Sequence, residues 1–316
     1  MSKAVFYMMV GLPGSGKSTY AKTLKVPIVS SDSIRAELFG DENDQDHNAE
    51  VFTEVEKRIR NYLKNGESCT LDATNLSRKR RRNFLKTISN YDNVEHVAIL
   101  IATDIDMCLK QNKQRDRVVP EDVIMRMFRH LSFPRIDEGF DRIIIVKNPN
   151  NSSNILYEFS KTTDFNQDNP HHILTLDKHM LKAEELVSKF IDEDKSINTT
   201  ENVSLKIAAK YHDIGKLYCK TYEKYDGTID TVAHYYNHAD VGAYVAACCM
   251  REPYIENVSG NHDLGVCLTY ILLILWHMEF FSANSDLELT EKVSRLYGKR
   301  FARLLNHLHA ADVDAH

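Results

Sequence analysis

The stretch MMVGLPGSGKSTYAK, Met8–Lys22, joins an apolar run to a glycine-rich turn and then to a helical pattern. Gly11-Leu-Pro-Gly14-Ser15-Gly16-Lys17-Ser18 fits the spacing GxxxxGK(S/T), with a strand-like run before it and a helix-like run after it. Each residue type answers a physical need. Glycines let consecutive backbone N–H groups close around phosphate oxygens. The Lys17 ammonium reaches the outer phosphates, and the Ser18 hydroxyl holds Mg2+. Gly11, Gly14, Ser15, Gly16 and Thr19 complete the cradle. A chance glycine loop has no reason to sit between a strand and a helix, so binding of a nucleoside triphosphate is expected here.

Outward from this loop, apolar and β-branched runs recur at 4–10, 26–30, 68–72, 94–102 and 141–146, with helical periodicity over 49–65, 78–88 and 121–131. Continuous apolar strands alternating with helices indicate an α/β domain: a buried parallel sheet with helices on both faces. Ligands of such sheets bind beyond the carboxyl ends of the strands. Asp32 and Arg35 stand there, after the second strand. Asp32 can accept a proton from an acceptor hydroxyl, and Arg35 can grip an acceptor phosphate; equally, Asp32 can simply cap a helix. Asp72 ends the third strand and can orient the Mg2+ shell, while Asn75 can cap the next helix. The run Arg78–Arg82 reads both as a solvated helix face and as a contact to a phosphate backbone, with Arg78 nearest the strand end. KQNKQRDRVVPEDV, after the fourth strand, reads as a basic lid. Within it Arg115 or Arg117 can stabilise charge on a transferring phosphoryl group, although most arginines in such a run are solvated surface.

The chain has 316 residues, enough for about two domains, with 43% hydrophobic and 27% charged residues and a net charge of −5. That balance excludes a protein that coats nucleic acid by bulk attraction. The six cysteines show no CxxC spacing, which argues against a zinc ribbon and fits a reducing cytoplasm. No signal-peptide pattern opens the sequence. The longest apolar run, 266–276, is shorter than a bilayer span, so no membrane segment is expected. Of the 14 histidines only His47, His96 and His130 precede residue 150, and the turn-rich stretch NPNNSSN, 148–154, reads as a linker. The expected domains are therefore 1–150 and 151–316. In the second, helical spacing covers 177–192, 202–216, 237–251, 266–282 and 288–312, with weak strand signals.

Residues 1–147 resemble the phage-type 5′-hydroxyl polynucleotide kinases. The matching pieces are GLPGSGKS, Asp32-x-x-Arg35, Asp72-Ala-Thr-Asn75, and a lid reading Lys-Gln-Asn-Lys-Gln-Arg115 before Val-Val-Pro120. The resemblance implies ATP with Mg2+, held by Lys17 and Ser18. It implies that Asp32 is the general base, Arg35 the ligand of the acceptor's 3′-phosphate, and Arg115 the lid arginine. DATN departs from the family's commoner DTN, and Gln111 stands at a basic lid position. P-loop kinases of metabolites share the loop and a similar lid.

The second half carries a different chemistry. His212-Asp213, in AAKYHDIGK, ends an apolar helical pattern, and His179, His238, His277 and Asp312 are spread around it. Imidazoles mixed with carboxylates suit Mn2+, Fe, Ni2+, Co2+ or Zn2+. Asp213 can bridge two such ions, and a metal can make water a nucleophile at neutral pH. A lone histidine such as His277 on an apolar helix is more often a core residue with one hydrogen bond. The whole series NPHH, AAKYHDIGK, HYYNHADVGAYVA, WHM and ADVDAH resembles the HD-superfamily phosphohydrolases, specifically the HD domains attached to some tRNA CCA-adding enzymes, over about 169–316. The resemblance implies an all-α domain holding one or two ions. It implies that His179, His212, Asp213 and Asp312 hold the first ion, that His238 and His277 complete a second, and that Lys216 faces substrate phosphate. His262 is an alternative to His277. His171, His172, His234, His307, His309 and His316 receive no role.

Together the two resemblances imply an end-healing enzyme. RNA cleaved through its 2′-hydroxyl leaves a 5′-OH and a 2′,3′-cyclic phosphate, whereas a ligase needs a 5′-phosphate and a free 3′-OH. The expected partners are 5′-OH ends of RNA or DNA, tRNA among them, and a separate RNA ligase. A metabolite or nucleoside kinase fused to a nucleotidase, and a nucleotide-sensing regulator, are the rival readings.

Overall fold

The structure is a computed structural model that describes residues 3–315 apart from Asn43, Asp92, Asp116 and His171. His171 and His316, which the sequence left without a role, lie outside the described residues. The chain forms two compact units. The first comprises the residues through Met127, with Pro134–Asn150 and Glu256–Ser259; the second comprises Phe128–Phe133, Asn151–Ile255 and the residues from Gly260 onward. The main break therefore falls between Asn150 and Asn151, and two short segments are counted with the unit of the opposite half.

The first unit runs β1 (Ala4–Val10), α1 (Lys17–Thr23), β2 (Ile28–Ser30), α2 (Ser31–Phe39), α3 (Asn48–Lys64), β3 (Cys69–Asp72), α4 (Arg78–Ile88), β4 (Val94–Ala102), α5 (Ile105–Asn112), α6 (Glu121–Arg129, whose last two residues count with the second unit) and β5 (Arg142–Lys147). The sheet order is β2-β3-β1-β4-β5, and each of these pairings is parallel. Parallel strands are buried on both faces, which is why they read as unbroken apolar runs. One face of β1 turns Phe6 toward Phe84 of α4, ring centroids 5.6 Å apart. The other packs Met9 with Ala21 of α1 and with Val97, Ile99 and Ile101 of β4. β1 lies centrally, so the loop at its carboxyl end sits between the ends of β3 and β4.

A buried ion pair braces this end of the sheet. Arg81 donates to both carboxylate oxygens of Glu138, at 2.7 and 2.6 Å, and to the Asn75 carbonyl at 2.9 Å, with both ionic side chains fully buried. The expectation that Arg78–Arg82 forms a solvated face fails at Arg81, because every fourth residue of the helix turns inward. Removing one partner leaves the other charge unpaired in a dry site. Glu138→Ala is expected to cost about 3–5 kcal/mol of stability, read as a lowered midpoint in urea unfolding of the first unit.

The second unit continues with α7 (Ile155–Ser160), α8 (Leu176–Glu193), α9 (Thr199–Tyr211), α10 (Lys216–Cys219), β6 (Thr221–Glu223), β7 (Ile229–His234), α11 (His238–Cys249), β8 (Tyr254–Val258, whose last three residues count with the first unit), α12 (Gly265–Trp276), α13 (Glu279–Ser282) and α14 (Asp286–Asp314). It is mainly helical. The 18-residue window Gly265–Ser282 is long and apolar enough to cross a membrane by length and composition, yet 67% of it is buried. It serves as the core: α12 packs against α9, α11 and α14, and every residue from Cys267 to Trp276 is buried. The sequence missed three short strands in this half. β6 and β7 form an antiparallel hairpin, and β8 joins the edge of the six-stranded sheet beside β5. Three to six residues of mixed polarity give too little alternation to register as strands. The helical pattern expected over 202–216 ends at Tyr211, and that expected over 266–282 breaks at His277 and Met278. Both interruptions fall at candidate ligands.

Candidate active sites

At the carboxyl end of β1 the backbone takes the left-handed turns that the glycines permit. Gly14 has φ +77° and Gly16 φ +92°. A Cβ on Gly14 would overlap the Cys108 carbonyl oxygen of α5, so this position needs glycine for space as well as conformation. Lys17 is buried, and its Nζ donates to the Leu12 carbonyl at 2.7 Å. Burial lowers the pKa of its ammonium, with the Asp72 carboxylate opposing the shift. Ser18 and Thr19 are exposed in the first turn of α1. Ser15 Oγ is buried without a hydrogen-bond partner among the described residues, which is costly unless a ligand supplies one. A lowered, buried ammonium, an orphaned hydroxyl and free hydroxyls at a helix start fit the phosphates of ATP and its Mg2+.

Two supports of this loop escaped sequence reasoning. Thr103 Oγ1 donates to the Ser15 carbonyl at 2.7 Å, and Asn148 Nδ2 donates to Thr103 Oγ1 at 3.1 Å. Asn148 is buried, so the stretch read as a linker begins one structural residue too early. Only the tertiary fold places the end of β5 behind the loop.

Asp32 and Arg35 lie in the first turns of α2. Ser30 Oγ caps that helix by accepting from Ser33 N, so capping does not occupy Asp32. The Asp32 carboxylate, 42% exposed, accepts from Arg35 at 2.8 Å and lies 2.9 Å from Arg117. Arg35 is buried. Its guanidinium spans Asp32 and Asn48 Oδ1, the latter at 2.9 Å. The guanidinium thus faces the protein's own groups. Arg115 is exposed, and its charge is felt at Lys17 together with those of Asp72 and Asp32. Asp72 pairs in register with Ser30 across β2 and β3 and is buried. Arg78 donates to both oxygens of Asp137, at 2.9 and 2.8 Å. Asn75 does not cap α4; Ser77 does. Asn75 instead adopts φ +47° and donates to the Met9 carbonyl at 2.7 Å, tying the DATN turn to β1.

In the second unit the cluster is built around Asp213. α9 brings His212 to its end, α8 carries His179, α11 starts at His238, His277 follows α12, and α14 supplies Asp312. His179, His212, Asp213 and Asp312 place one donor atom each within 4.8 Å of one another, and so do Asp213, His238 and His277. All six are buried. The two carboxylate oxygens of Asp213 divide between the sets. Oδ2 lies 3.4 Å from His179 Nε2 and 3.5 Å from His212 Nε2. Oδ1 lies 3.1 Å from His238 Nε2 and 3.5 Å from His277 Nε2. Asp312 Oδ1 closes the first set at 3.1 Å from His179 and 3.2 Å from His212.

The orientation of the rings limits what this cluster can hold. Nδ1 of His212, His238 and His277 sits 2.8, 2.7 and 2.7 Å from the carbonyls of Ala209, Tyr235 and Ile274. A carbonyl can only accept, so each Nδ1 carries the proton and each Nε2 presents a lone pair. The lone pairs of His238 and His277 then meet, their Nε2 atoms 3.3 Å apart, and that of His212 meets His179 Nε2 at 3.1 Å. Facing lone pairs repel unless a proton or a cation lies between them. Burial resists charging His179, but Asp213 and Asp312 outweigh it and raise its pKa to about 9. Burial likewise opposes ionising Asp213, yet Lys216 and the histidines hold it well below the usual range. The donor set is imidazole and carboxylate in two groups sharing one carboxylate, with each fixed ring bonded through its far nitrogen to the backbone. That arrangement fits divalent transition metal.

Lys216 is buried. Its Nζ donates to Asp213 Oδ2 at 2.6 Å and to Gln167 Oε1 at 3.0 Å, with His172 Nε2 at 3.4 Å. A cavity of about 560 Å3 opens onto this group and is lined by Asp213, Lys216, His238 and Asp312 together with His172 and aromatic side chains. His262 is exposed beside Gly298 and belongs to neither donor group. Sequence reasoning missed Gln167 and His172, since both come from the loops before α8 and carry no spacing signal.

Residues 6–134 match a family model described as an AAA domain. Among curated proteins, the chain is 25% identical over 171 residues to the transcription factor bHLH140 of Arabidopsis thaliana, covering 51% of this chain and 18% of that protein. It is also 25% identical over 141 residues to the L-seryl-tRNA(Sec) kinase of Methanococcus maripaludis, covering 42% of this chain and 55% of that protein. The chain thus spans 18% and 55% of the lengths of these two relatives. Among solved structures, one of the Pnkp1/Rnl/Hen1 RNA repair complex aligns at 24% identity and TM-score 0.37, covering 40% of this chain and 43% of that one. A gluconokinase from Sinorhizobium meliloti 1021 aligns at 16% identity and TM-score 0.34, covering 47% and 86%. The first unit contains a kinase-like P-loop α/β domain.

Proposed function

We propose that the chain heals broken nucleic-acid ends. On this reading the first unit transfers the γ-phosphate of ATP to a 5′-OH end, and the second removes a 2′,3′-cyclic, 2′- or 3′-phosphate. The observation that carries the reading is the pairing, on one chain, of a phosphate cradle at β1 with a doubled donor set divided by the two oxygens of Asp213. One site adds phosphate and the other removes it, and a break with a 5′-OH and a 2′,3′-cyclic phosphate needs both. A curated relative is, by name, a kinase of L-seryl-tRNA(Sec), in keeping with an acceptor carried by RNA. None of the six cysteines forms a disulfide among the described residues, which suits a reducing cytoplasm.

In the kinase unit, ATP with Mg2+ would supply the electrophilic phosphorus and the charge neutralisation on its oxygens. Lys17 and the loop amides orient the phosphates. Asp32 receives the proton of the acceptor hydroxyl, while Arg35 and Arg117 fix its carboxylate. Asp32 is assigned to the acceptor and Arg115, exposed in the basic lid, to the transferring phosphate. In the hydrolase unit, divalent metal held by His179, His212, Asp213 and Asp312, and by Asp213, His238 and His277, would supply Lewis acidity toward a phosphate ester and a nucleophile at neutral pH. The chain's own groups hold the geometry. Backbone carbonyls fix three ring tautomers, and Lys216 keeps Asp213 ionised between the two sets. Lys216 and His172 present positive and hydrogen-bonding character to a phosphate entering the cavity.

Incubation of an RNA carrying a 5′-OH and a 2′,3′-cyclic phosphate with ATP, Mg2+ and Mn2+ tests both halves at once. The expected product has a 5′-phosphate and no terminal phosphate at its other end. Transfer to free nucleosides with none to the oligonucleotide would replace this reading with a metabolite kinase.

A further inference from the structure

The cavity beside Asp213 is not lined as a site for small phosphate esters alone would be. Beyond the charged group it is lined by Phe281, Met278, Tyr235 and Tyr236. Phe281 is 54% exposed although it is a large apolar residue. Its ring is set by an edge contact with His309, centroids 5.0 Å apart at 76°. Tyr236 is held in a run of rings with His234, 5.2 Å away and nearly parallel, and with Tyr225, 3.9 Å away. Tyr235 donates its hydroxyl to the Gln167 carbonyl at 2.5 Å. A volume of about 560 Å3 falls within the range of small-molecule sites, about 300–1,000 Å3. It holds far more than a phosphate group. Exposed aromatic surface next to a polar anchor is what a flat, π-faced ligand would cover.

We infer that Phe281, with the run of rings from Tyr225 through Tyr236 to His234, forms a nucleobase subsite, so that the hydrolase unit takes the phosphate of a single terminal nucleoside rather than phosphate esters at large. The inference rests on the reading of the Asp213 cluster as a phosphohydrolase site. Phosphate lies toward Asp213 and Lys216, and the base of the same nucleotide lies on the aromatic lining. Recognition is by stacking, which every base offers, so the subsite selects nucleosides without selecting sequence.

Binding separates this from catalysis. The probes are adenosine 3′-phosphorothioate, a slowly hydrolysed nucleotide, and glycerol 2-phosphorothioate, which keeps a secondary ester and lacks the base. Both are titrated calorimetrically into Mn2+-loaded full-length protein. The nucleotide is expected to bind about 10- to 100-fold tighter, the size of one base–aromatic stack. Phe281→Ala should erase most of that ratio by weakening the nucleotide alone, Tyr236→Ala should reduce it, and Phe281→Trp should keep it. Equal binding of the two probes to the unaltered protein, binding of neither, or an unchanged ratio in Phe281→Ala would overturn the subsite. A preserved ratio in the unaltered protein, lost in Phe281→Ala, without turnover of any ester would instead overturn the hydrolase reading and leave the subsite standing.

Discussion

Asp213→Ala is expected to lose bound transition metal and to cut hydrolysis of 2′- and 3′-phosphate ends by at least about 10³-fold, some 4 kcal/mol of barrier, while 5′ phosphorylation persists. Asp213 is the only residue common to both donor groups, and it is one of only two carboxylates among their six residues. Without it, the second group keeps two neutral imidazoles and no negative charge. The first keeps only Asp312 to offset a dication. The same change strips Lys216 of its closest anionic partner, 2.6 Å away, so part of the loss in the alanine variant could be structural. Asp213→Asn answers that, because it keeps the volume and a polar contact to Lys216 while removing the charge. Elemental analysis and circular dichroism of both variants, alongside assays of each activity, make the check. Full metal content with full hydrolysis in Asp213→Asn would show that the chemistry lies elsewhere.

Lys17→Ala should have the mirror effect. Removing one preorganised charge from a transferring phosphate costs on the order of 10²–10³-fold or more in turnover, and hydrolysis in the second unit should be untouched. The structure makes this a clean experiment. Lys17 is buried with a lowered pKa and donates to a single carbonyl, that of Leu12, so the folded protein gains little from its charge. The alanine variant should unfold at an unchanged or slightly higher midpoint. A fall in stability as large as that expected for Glu138→Ala would mean that Lys17 supports the loop rather than the phosphate. Unchanged phosphorylation by a folded Lys17→Ala protein would remove the kinase assignment.

Much of the first unit was legible because its signals are local. A parallel strand buried on both faces shows as an unbroken apolar run, and β1 and β4 occupy the residues that such runs mark. The P-loop needs glycine where φ is positive, and Gly14 and Gly16 stand at those positions. The run at Arg78–Arg82 was less legible. One-dimensional charge patterning cannot tell Arg81, which is sealed against Glu138, from Lys79 and Arg80, which stay exposed. Asn75 shows the same limit. A residue suited by type to a cap is used instead to tie two turns together, and Ser77 two positions later does the capping.

The sequence by itself determined the residue types of both candidate sites, since a glycine pattern and a His-Asp pair beside an apolar helical run are properties of neighbouring residues. The tertiary structure alone decided how they meet. It brought Nε2 atoms from α8 and the end of α9, 33 residues apart in sequence, to 3.1 Å. It turned three Nδ1 atoms onto backbone carbonyls, placed Gln167 and His172 beside Lys216, and left Phe281 bare in the cavity. It also put Asn148 beneath the P-loop and β8 at the edge of the sheet. The physical reason is that lone-pair direction, burial and the closing of a cavity depend on packing between segments far apart along the chain, and no local pattern of residue types carries that information.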